Sequence, residues 1–285
     1  MDLGFDFGAV SDLGVGRGNN EDSAYCSGAV LAVADGVGGG PAGEVASTIA
    51  VEALRGLEAD VGRSDDPRPV LRERASIASA RLDAAAREDP AVAGMATTLT
   101  AVLMGRCGKR YRRHGAEVGL LHVGDSRLYV SLAGQLFQLT RDHSLPQLLV
   151  DRGQLSAADA EHHPQRSMIV RSLQSGVQPE VDLVLLLLLE GQRLLLCSDG
   201  LSDYVPAPRI SELLTKGPPQ AAAEGLLEEA LGCGSRDNIT VVVADVLRRD
   251  GLPETSRTLG AAEAADSIHG TTAPHRRGPD VRLAS

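Results

Sequence analysis

Apolar positions along the chain fall into short runs, most of them bounded by turn residues. Residues 1–10 alternate enough for an edge strand, and 29–34, 97–104, 117–123, 126–131, 135–140, 181–189, 193–198 and 239–247 read as further strands. Ala133-Gly134 marks a hairpin between two of them. Helices are expected over residues 44–57, opened by Glu44 at the favourable end of the helix dipole, and over 69–87, with Leu71, Ile77 and Leu82 on one side. Shorter helices are expected at 145–152, 157–162, 208–216 and 219–231. The helices come in pairs and short turns join most strands, so the alternation of a parallel sheet is missing. The pattern predicts an α+β layered fold with antiparallel sheets and helices outside.

The segments between these elements are distinct in kind. Residues 11–22 are rich in Gly, Asn and acid and read as a functional loop, and Gly36–Gly43 as a Gly-rich turn. Residues 144–176 form a polar insertion between strands. Lys109–His114 reads as a solvated basic hairpin tip. From Arg248 onward no periodicity is sustained, and the reading is a catalytic unit over 1–247 followed by a disordered tail, 248–285.

Composition narrows the function. A net charge of -10 disfavours nonspecific nucleic-acid binding, and 2% aromatics leave no stacking platform for single strands. The four cysteines (26, 107, 197 and 233) contain no CxxC pair. That argues against a zinc cluster or disulfide framework, fits a reducing cytoplasm, and makes Cys197 a buried, inert thiol. The N-terminus lacks a basic region followed by an apolar one, so no secretory signal is expected. The apolar run 181–189 is too short to span a bilayer.

The candidate chemistry lies in acids at strand ends. Leu31-Ala-Val-Ala-Asp35-Gly36 and Leu194-Leu-Leu-Cys-Ser-Asp199-Gly200 each end a strand in Asp-Gly, and Ser235-Arg-Asp237-Asn238 leads into another strand. Three carboxylates gathered in one place repel one another unless hard cations sit between them, which suggests Mg²⁺ or Mn²⁺. Arg17, on the Gly loop just before Glu21 and Asp22, can bind phosphate as a fork, and either acid can reach a metal or its waters. The Gly36–Gly43 stretch lacks the Gly-Lys-Ser/Thr ending of a P-loop and the GxGxxG spacing of a dinucleotide fold. The Asp-Gly pairs lack the Ser or Thr of aspartic proteases, and no Gly-x-Ser-x-Gly elbow or EF-hand loop occurs.

In order, the chain carries Ser11-Asp12-x-Gly14-x-x-Arg17-x-x-Asn20-Glu21-Asp22, Val33-Ala34-Asp35-Gly36-Val37-Gly38-Gly39, Gly94-Met-Ala-Thr97-Thr98-Leu99 and His122-Val123-Gly124-Asp125-Ser126-Arg127. Then follow Thr140-Arg-Asp142-His143-Ser144, His163-Pro164-Gln165-Arg166, Cys197-Ser198-Asp199-Gly200-Leu201 and Ser235-Arg-Asp237-Asn238-Ile239-Thr240. This ordered set, over roughly residues 5–247, resembles bacterial members of the protein phosphatase 2C family of metal-dependent Ser/Thr phosphatases. The resemblance implies a four-layer α-β-β-α sandwich and two Mn²⁺ or Mg²⁺ ions. Asp35 would bridge the ions, the Gly36 carbonyl would bind one of them, and Asp199 and Asp237 would complete the other's shell. It implies that Glu21 and Asp22 act through metal-bound waters, that Asp125 helps Asp199 hold a third, weaker ion, that Arg17 binds the phosphate, and that residues 145–180 form a mobile flap.

The implied reaction is in-line attack on phosphorus by a water activated between two cations, without a phosphoenzyme. Its implied partners are phosphorylated proteins, among them Ser/Thr kinases and their substrates, in the cytoplasm. One departure stands out: eukaryotic members often carry a His after the Asp-Gly pair, and Val37 stands there. His143 is expected to be structural, which leaves the general acid open. A phosphoprotein-binding regulator without activity and a hydrolase of small phosphate esters remain alternatives. The intact Asp35, Asp199, Asp237 and Arg17 argue against the first.

Overall fold

The computed structural model describes residues 3–37, 42–60, 66–105, 115–248 and 255–269. The chain opens with β1 (Leu3–Asp12), β2 (Asp22–Ser27) and β3 (Val30–Asp35), then α1 (Gly43–Glu52) and α2 (Arg68–Glu88). Next come β4 (Ala96–Thr97), β5 (Leu99–Met104), β6 (Gly115–Val123), β7 (Arg127–Leu132) and β8 (Gln135–Gln138). An insertion follows, with α3 (Leu145–Asp151), α4 (Ala157–Ala160) and β9 (Leu173–Gln174). The rest is β10 (Asp182–Leu189), β11 (Arg193–Cys197), α5 (Asp199–Ser202), α6 (Ala207–Leu214), α7 (Pro219–Gly232), β12 (Ile239–Arg248), β13 (Ser256–Gly260) and α8 (Ala261–His269). Proline stands in the first turn of α2, α3, α6 and α7, where its missing N–H has no helical partner to lose.

Two antiparallel sheets carry the fold: β1-β12-β11-β7-β8 and β10-β6-β5-β3-β2-β13. The sheets pack face to face. Helices α1, α2 and α8 lie on the outer face of the six-stranded sheet, and α6 and α7 on that of the five-stranded one. This is the expected α-β-β-α sandwich, with β1 at a sheet edge as expected.

The apolar runs follow from the layering. In β11, Leu194 and Leu196 join the core between the sheets, while Leu195 and Cys197 face the second core under α6 and α7. β12 repeats this, with Val242, Ala244 and Val246 between the sheets and Ile239, Val241 and Val243 under the helices. A strand covered on both faces favours apolar residues at nearly every position, which is why these segments show no alternation. Burial pushes the Cys26 and Cys197 thiols up to about 12, the inert state expected for Cys197.

The structure differs from the sequence reading in several places. The reading of a disordered tail from residue 248 does not hold for residues 256–269. β13 pairs with β2, and α8 packs on α1, burying Leu259 and Ala262. Five residues of strand and nine of helix were too short to stand out among the polar residues around them. The helix expected over 44–57 ends at Glu52 and gives way to a 3-10 turn at Leu57–Asp60. The loop read over 11–22 begins and ends inside β1 and β2. The basic tip at Lys109–His114, the centre of the Gly36–Gly43 turn and the tail beyond residue 269 lie outside the described residues. Among the described residues, no helix is long and apolar enough to cross a membrane.

Candidate metal centre

The centre forms where strand ends from both sheets meet. β2 and β3 are antiparallel neighbours, and their register sets Asp22 opposite Asp35. Asp199 opens α5 directly after β11, Asp125 follows Gly124 in the turn between β6 and β7, and Asp237 precedes β12. Asp22 and Asp125 are buried, while Asp35 and Asp199 are half-buried.

The electrostatics show that these five acids share one site. Burial first, then the charges of Asp22, Asp199, Asp125 and Asp237, hold the Asp35 carboxyl well above the usual range. Asp199 is raised by burial and then by Asp125, Asp203, Asp237 and Asp22. Burial raises Asp125 to about 7, with Asp142 and Asp203 adding to it and Arg127 opposing. Burial raises Asp22 to about 6 against the pull of the Ser198 and Thr240 hydroxyls. Glu21 is raised by burial and by Glu44.

The loop ahead of β2 is pinned to this cluster. Arg17 Nη2 donates to Asp237 Oδ2 at 2.7 Å, so in this arrangement the guanidinium is paired with a carboxylate of the centre. Gly14, at φ +71°, lies so close to Asp237 that a Cβ there would sit 1.9 Å from its carbonyl oxygen. Asn238 clamps the loop: its Nδ2 donates to the Leu13 and Asn19 carbonyls, and its Oδ1 accepts the Glu21 N–H at 2.8 Å. Gly36 N–H donates to the Glu21 carbonyl at 3.1 Å, joining the two acidic segments.

The carboxylates converge without closing into a ligand cluster. Among the described residues, no group of three His, Cys, Asp or Glu side chains is set to hold an ion. The donor chemistry nevertheless fits hard divalent cations. The acids are all oxygen donors, and Asp22 Oδ1, Asp125 Oδ1 and Asp199 Oδ1 are buried without any hydrogen-bond partner. A buried carboxylate oxygen with no partner is costly, and a divalent cation is the partner that suits several at once.

Comparison with known proteins agrees with this geometry. The family model of protein phosphatase 2C matches residues 19–233. The chain belongs to the protein phosphatase 2C family. It is 41% identical over 271 residues to the serine/threonine protein phosphatase PstP of Mycobacterium tuberculosis, covering 91% of this chain and 48% of that protein. The chain thus spans about half the length of that relative. It is 32% identical over 244 residues to the serine/threonine phosphatase stp of Listeria monocytogenes, covering 82% of this chain and 93% of the relative. The solved catalytic domain of PstP in complex with two manganese ions superposes with a TM-score of 0.77 at 39% identity, over 86% of this chain and 100% of that one.

Several supports of this phosphatase 2C site escaped the sequence reading. Ser198 Oγ donates to Asp22 Oδ2 at 2.7 Å and accepts the Thr240 N–H at 2.9 Å, tying Asp22 to the opposite sheet. Thr98 Oγ1 accepts the Asp35 N–H at 2.9 Å, and Thr97 Oγ1 donates to the Asp35 carbonyl at 2.9 Å. Asp203 lies one helical turn beyond Asp199 and adds its charge to the cluster; that i, i+4 spacing was the available signal. Arg127 grips Asp142 with Nε and Nη2 at 2.6–3.1 Å. His143 has the structural role expected of it: its Nδ1 accepts the Gly124 N–H at 3.1 Å, and its Nε2 lies 3.2 Å from Asp182 Oδ2. A cavity of about 640 Å³ opens from Asp125 and Asp199 to the insertion, bounded by α3, α4 and α6.

Proposed function

We propose that this chain hydrolyses phosphoserine and phosphothreonine esters of proteins in a reaction that depends on divalent cations. The observation that carries the reading is the convergence of Asp22, Asp125, Asp199 and Asp237 on Asp35, in a chain of the protein phosphatase 2C family. Asp35, Asp199 and Asp237, with the Gly36 carbonyl, would hold two Mn²⁺ or Mg²⁺ ions. Asp125 with Asp199 would hold a third, and Glu21 would act at the periphery. Asp22 is buried against Ser198 and Asp35, which favours a role in fixing the Asp35 carboxylate beside its reach toward the ions. Bound divalent cations supply a water acidified to near-neutral pKa and charge to offset that on the phosphoryl oxygens.

The chain's own residues do the rest. Burial and mutual repulsion hold the carboxyls of Asp35, Asp22 and Asp199 above the usual range, so positive charge entering the recess favours their full ionisation. Arg17 exchanges Asp237 for a phosphate, presenting a planar fork to two phosphoryl oxygens and orienting phosphorus in the recess. In-line attack by water needs no nucleophilic Cys or Ser, so no phosphoenzyme is expected. The insertion of residues 145–180 would cover the substrate as a flap, within a catalytic unit that takes in residues 1–247. Phosphorylated kinases and their substrates are the proposed partners, in the cytoplasm.

Phosphate release from a phosphothreonine peptide and from an aryl phosphate, with Mn²⁺ and with chelator, tests the reading. Mn²⁺-dependent turnover of the peptide is expected, and Asp35→Asn or Asp237→Asn should abolish it with the fold retained. Bound metal without turnover of either compound would replace the enzyme by a phosphoprotein-binding regulator. Turnover of the aryl ester alone would indicate a small-ester hydrolase.

A further inference from the structure

We propose that the strand and turn at residues 256–262 position Asp22, and that this C-terminal element thereby sets the affinity of the centre for divalent cations. The inference rests on the metal-centre reading above and concerns residues beyond the 19–233 that match the family model. β13 is the outermost strand of its sheet and pairs with β2 over five residues, from Ser256 opposite Ser27 to Gly260 opposite Ser23. β2 therefore lies between two neighbours: β3, which brings Asp35, and β13. Without β13, β2 would be an edge strand, and Asp22 would be its terminal residue. Strand ends with one neighbour open at little cost in free energy.

The contacts at that end are specific. Gly260 has φ +71° and lies against Asp22 so closely that a Cβ would sit 2.2 Å from the Asp22 carbonyl oxygen. Ala262 N–H donates to Ser23 Oγ at 3.2 Å, and Ser23 Oγ is 3.0 Å from Ser47 Oγ on α1. Leu259 and Ala262 are buried in the core between the layers. Arg55 Nη2 donates to Thr258 Oγ1 at 2.6 Å, and Arg257 Nη1 to Gln220 Oε1 at 3.3 Å on α7, so the element is fastened to both helical layers. Asp22 is thus held from three sides: by Asp35 on β3, by Ser198 from the facing sheet, and by the β13–α8 turn at its backbone. Among the described residues, the hydrogen bonds of residues 256–262 run to β2, Arg55 and Gln220 and not to a carboxylate oxygen of the centre, so the element acts on the centre through the placement of β2.

The test uses the full chain stripped of metal by chelation. Mn²⁺ binding is measured by titration calorimetry, and backbone exposure by hydrogen exchange. Leu259→Asp places a charge in the core and should release β13. The expected result is faster exchange over Ser23–Ser27, unchanged protection of β11 and β12, and Mn²⁺ binding weaker by about tenfold or more, the range seen when a support of a metal ligand is lost. Thr258→Pro, which leaves the core side chain in place and removes one strand N–H, gives the same answer if the first variant does not fold. Rapid exchange throughout β13 with Mn²⁺ affinity within about twofold of the wild type would overturn the proposal. A wild-type chain that takes up no Mn²⁺ would overturn the metal-centre reading itself, and this inference with it.

Discussion

Asp22 offers a direct test of whether burial in the acidic recess favours the protonated carboxyl. Burial raises its carboxyl from an ordinary 3.8 to about 6. Between those two values the folded protein keeps a proton that the unfolded chain has released. Folding stability contributed by this group is therefore complete below pH 3.8 and is lost as pH rises toward 6. At about 1.4 kcal/mol per pH unit, the gap between 3.8 and about 6 amounts to about 3 kcal/mol. The buried His122, lowered to about 4 mainly by burial, has the opposite sign: its contribution grows as pH rises toward 6.5.

The pH profile of the wild type alone therefore mixes opposing effects, and comparison with Asp22→Asn removes this carboxyl together with its repulsion of Asp35 and Asp199. Asn keeps the shape and the acceptor for Ser198 Oγ without a titrating proton. Urea denaturation of both proteins in chelator, at steps from pH 4 to pH 7.5, gives the difference directly. Wild type should lose about 3 kcal/mol relative to the variant across that span. With Mn²⁺ in excess the sign should reverse, because the cation binds the ionised carboxylate and stabilises the folded state by mass action. A difference in chelator that is flat with pH, or that rises with it, would refute the claim that burial raises the Asp22 carboxyl.

Three further substitutions or modifications probe the supports. Gly14→Ala sets a Cβ 1.9 Å from the Asp237 carbonyl at a positive φ; the conformation alone costs about 1–2 kcal/mol, and displacement of the Arg17 loop should raise KM for a phosphopeptide. Arg127→Ala leaves Asp142, whose side chain is 10% exposed, without its guanidinium fork; urea denaturation should show a loss of about 3 kcal/mol, and Arg127→Lys should recover only part of it because an ammonium cannot grip both oxygens. Cys26 and Cys197 should resist iodoacetamide in the native protein while the exposed Cys233 reacts, read by mass spectrometry of peptides.

The sequence carried the strands well because most are covered on both faces or end in a functional turn. A run such as Leu194–Cys197 has no polar position to confuse it with a loop, and the Asp-Gly that follows marks where it stops. The helix starts were legible for a similar local reason, since Pro69, Pro146, Pro208 and Pro219 each announce a first turn. β2 was missed because Asp22-Ser-Ala-Tyr-Cys-Ser27 reads as polar, yet all six residues are buried. Its serines are satisfied by partners far along the chain: Ser23 by Ser47 and Ala262, and Ser27 by the turn it makes with Ala29 and Val30. Polarity in a strand signals exposure only when no distant group can bond to it, and one-dimensional pattern has no access to that condition.

The same limit explains what was legible at the site. Asp35, Asp199 and Asp237 stood out singly as acids at strand ends, but the groups that decide their charge do not. Ser198 looks like an ordinary small residue before Asp199, Thr98 like a strand opening, and Asn238 like a turn residue. Their value lies in where the opposite sheet delivers them. Ser198, at the end of β11, reaches Asp22 at the start of β2, and Asn238 reaches back to the Arg17 loop. The two sheets of the sandwich are therefore chemically interdependent at this end. The six-stranded sheet contributes Asp22 and Asp35, the five-stranded sheet contributes the turns that hold Asp199 and Asp237, Asp125 stands where β6 of the first passes to β7 of the second, and hydrogen bonds between the sheets fix the separation. A shift of one sheet on the other would part the acids before it opened the apolar core, so the centre is more sensitive to the packing angle of the sandwich than the fold is.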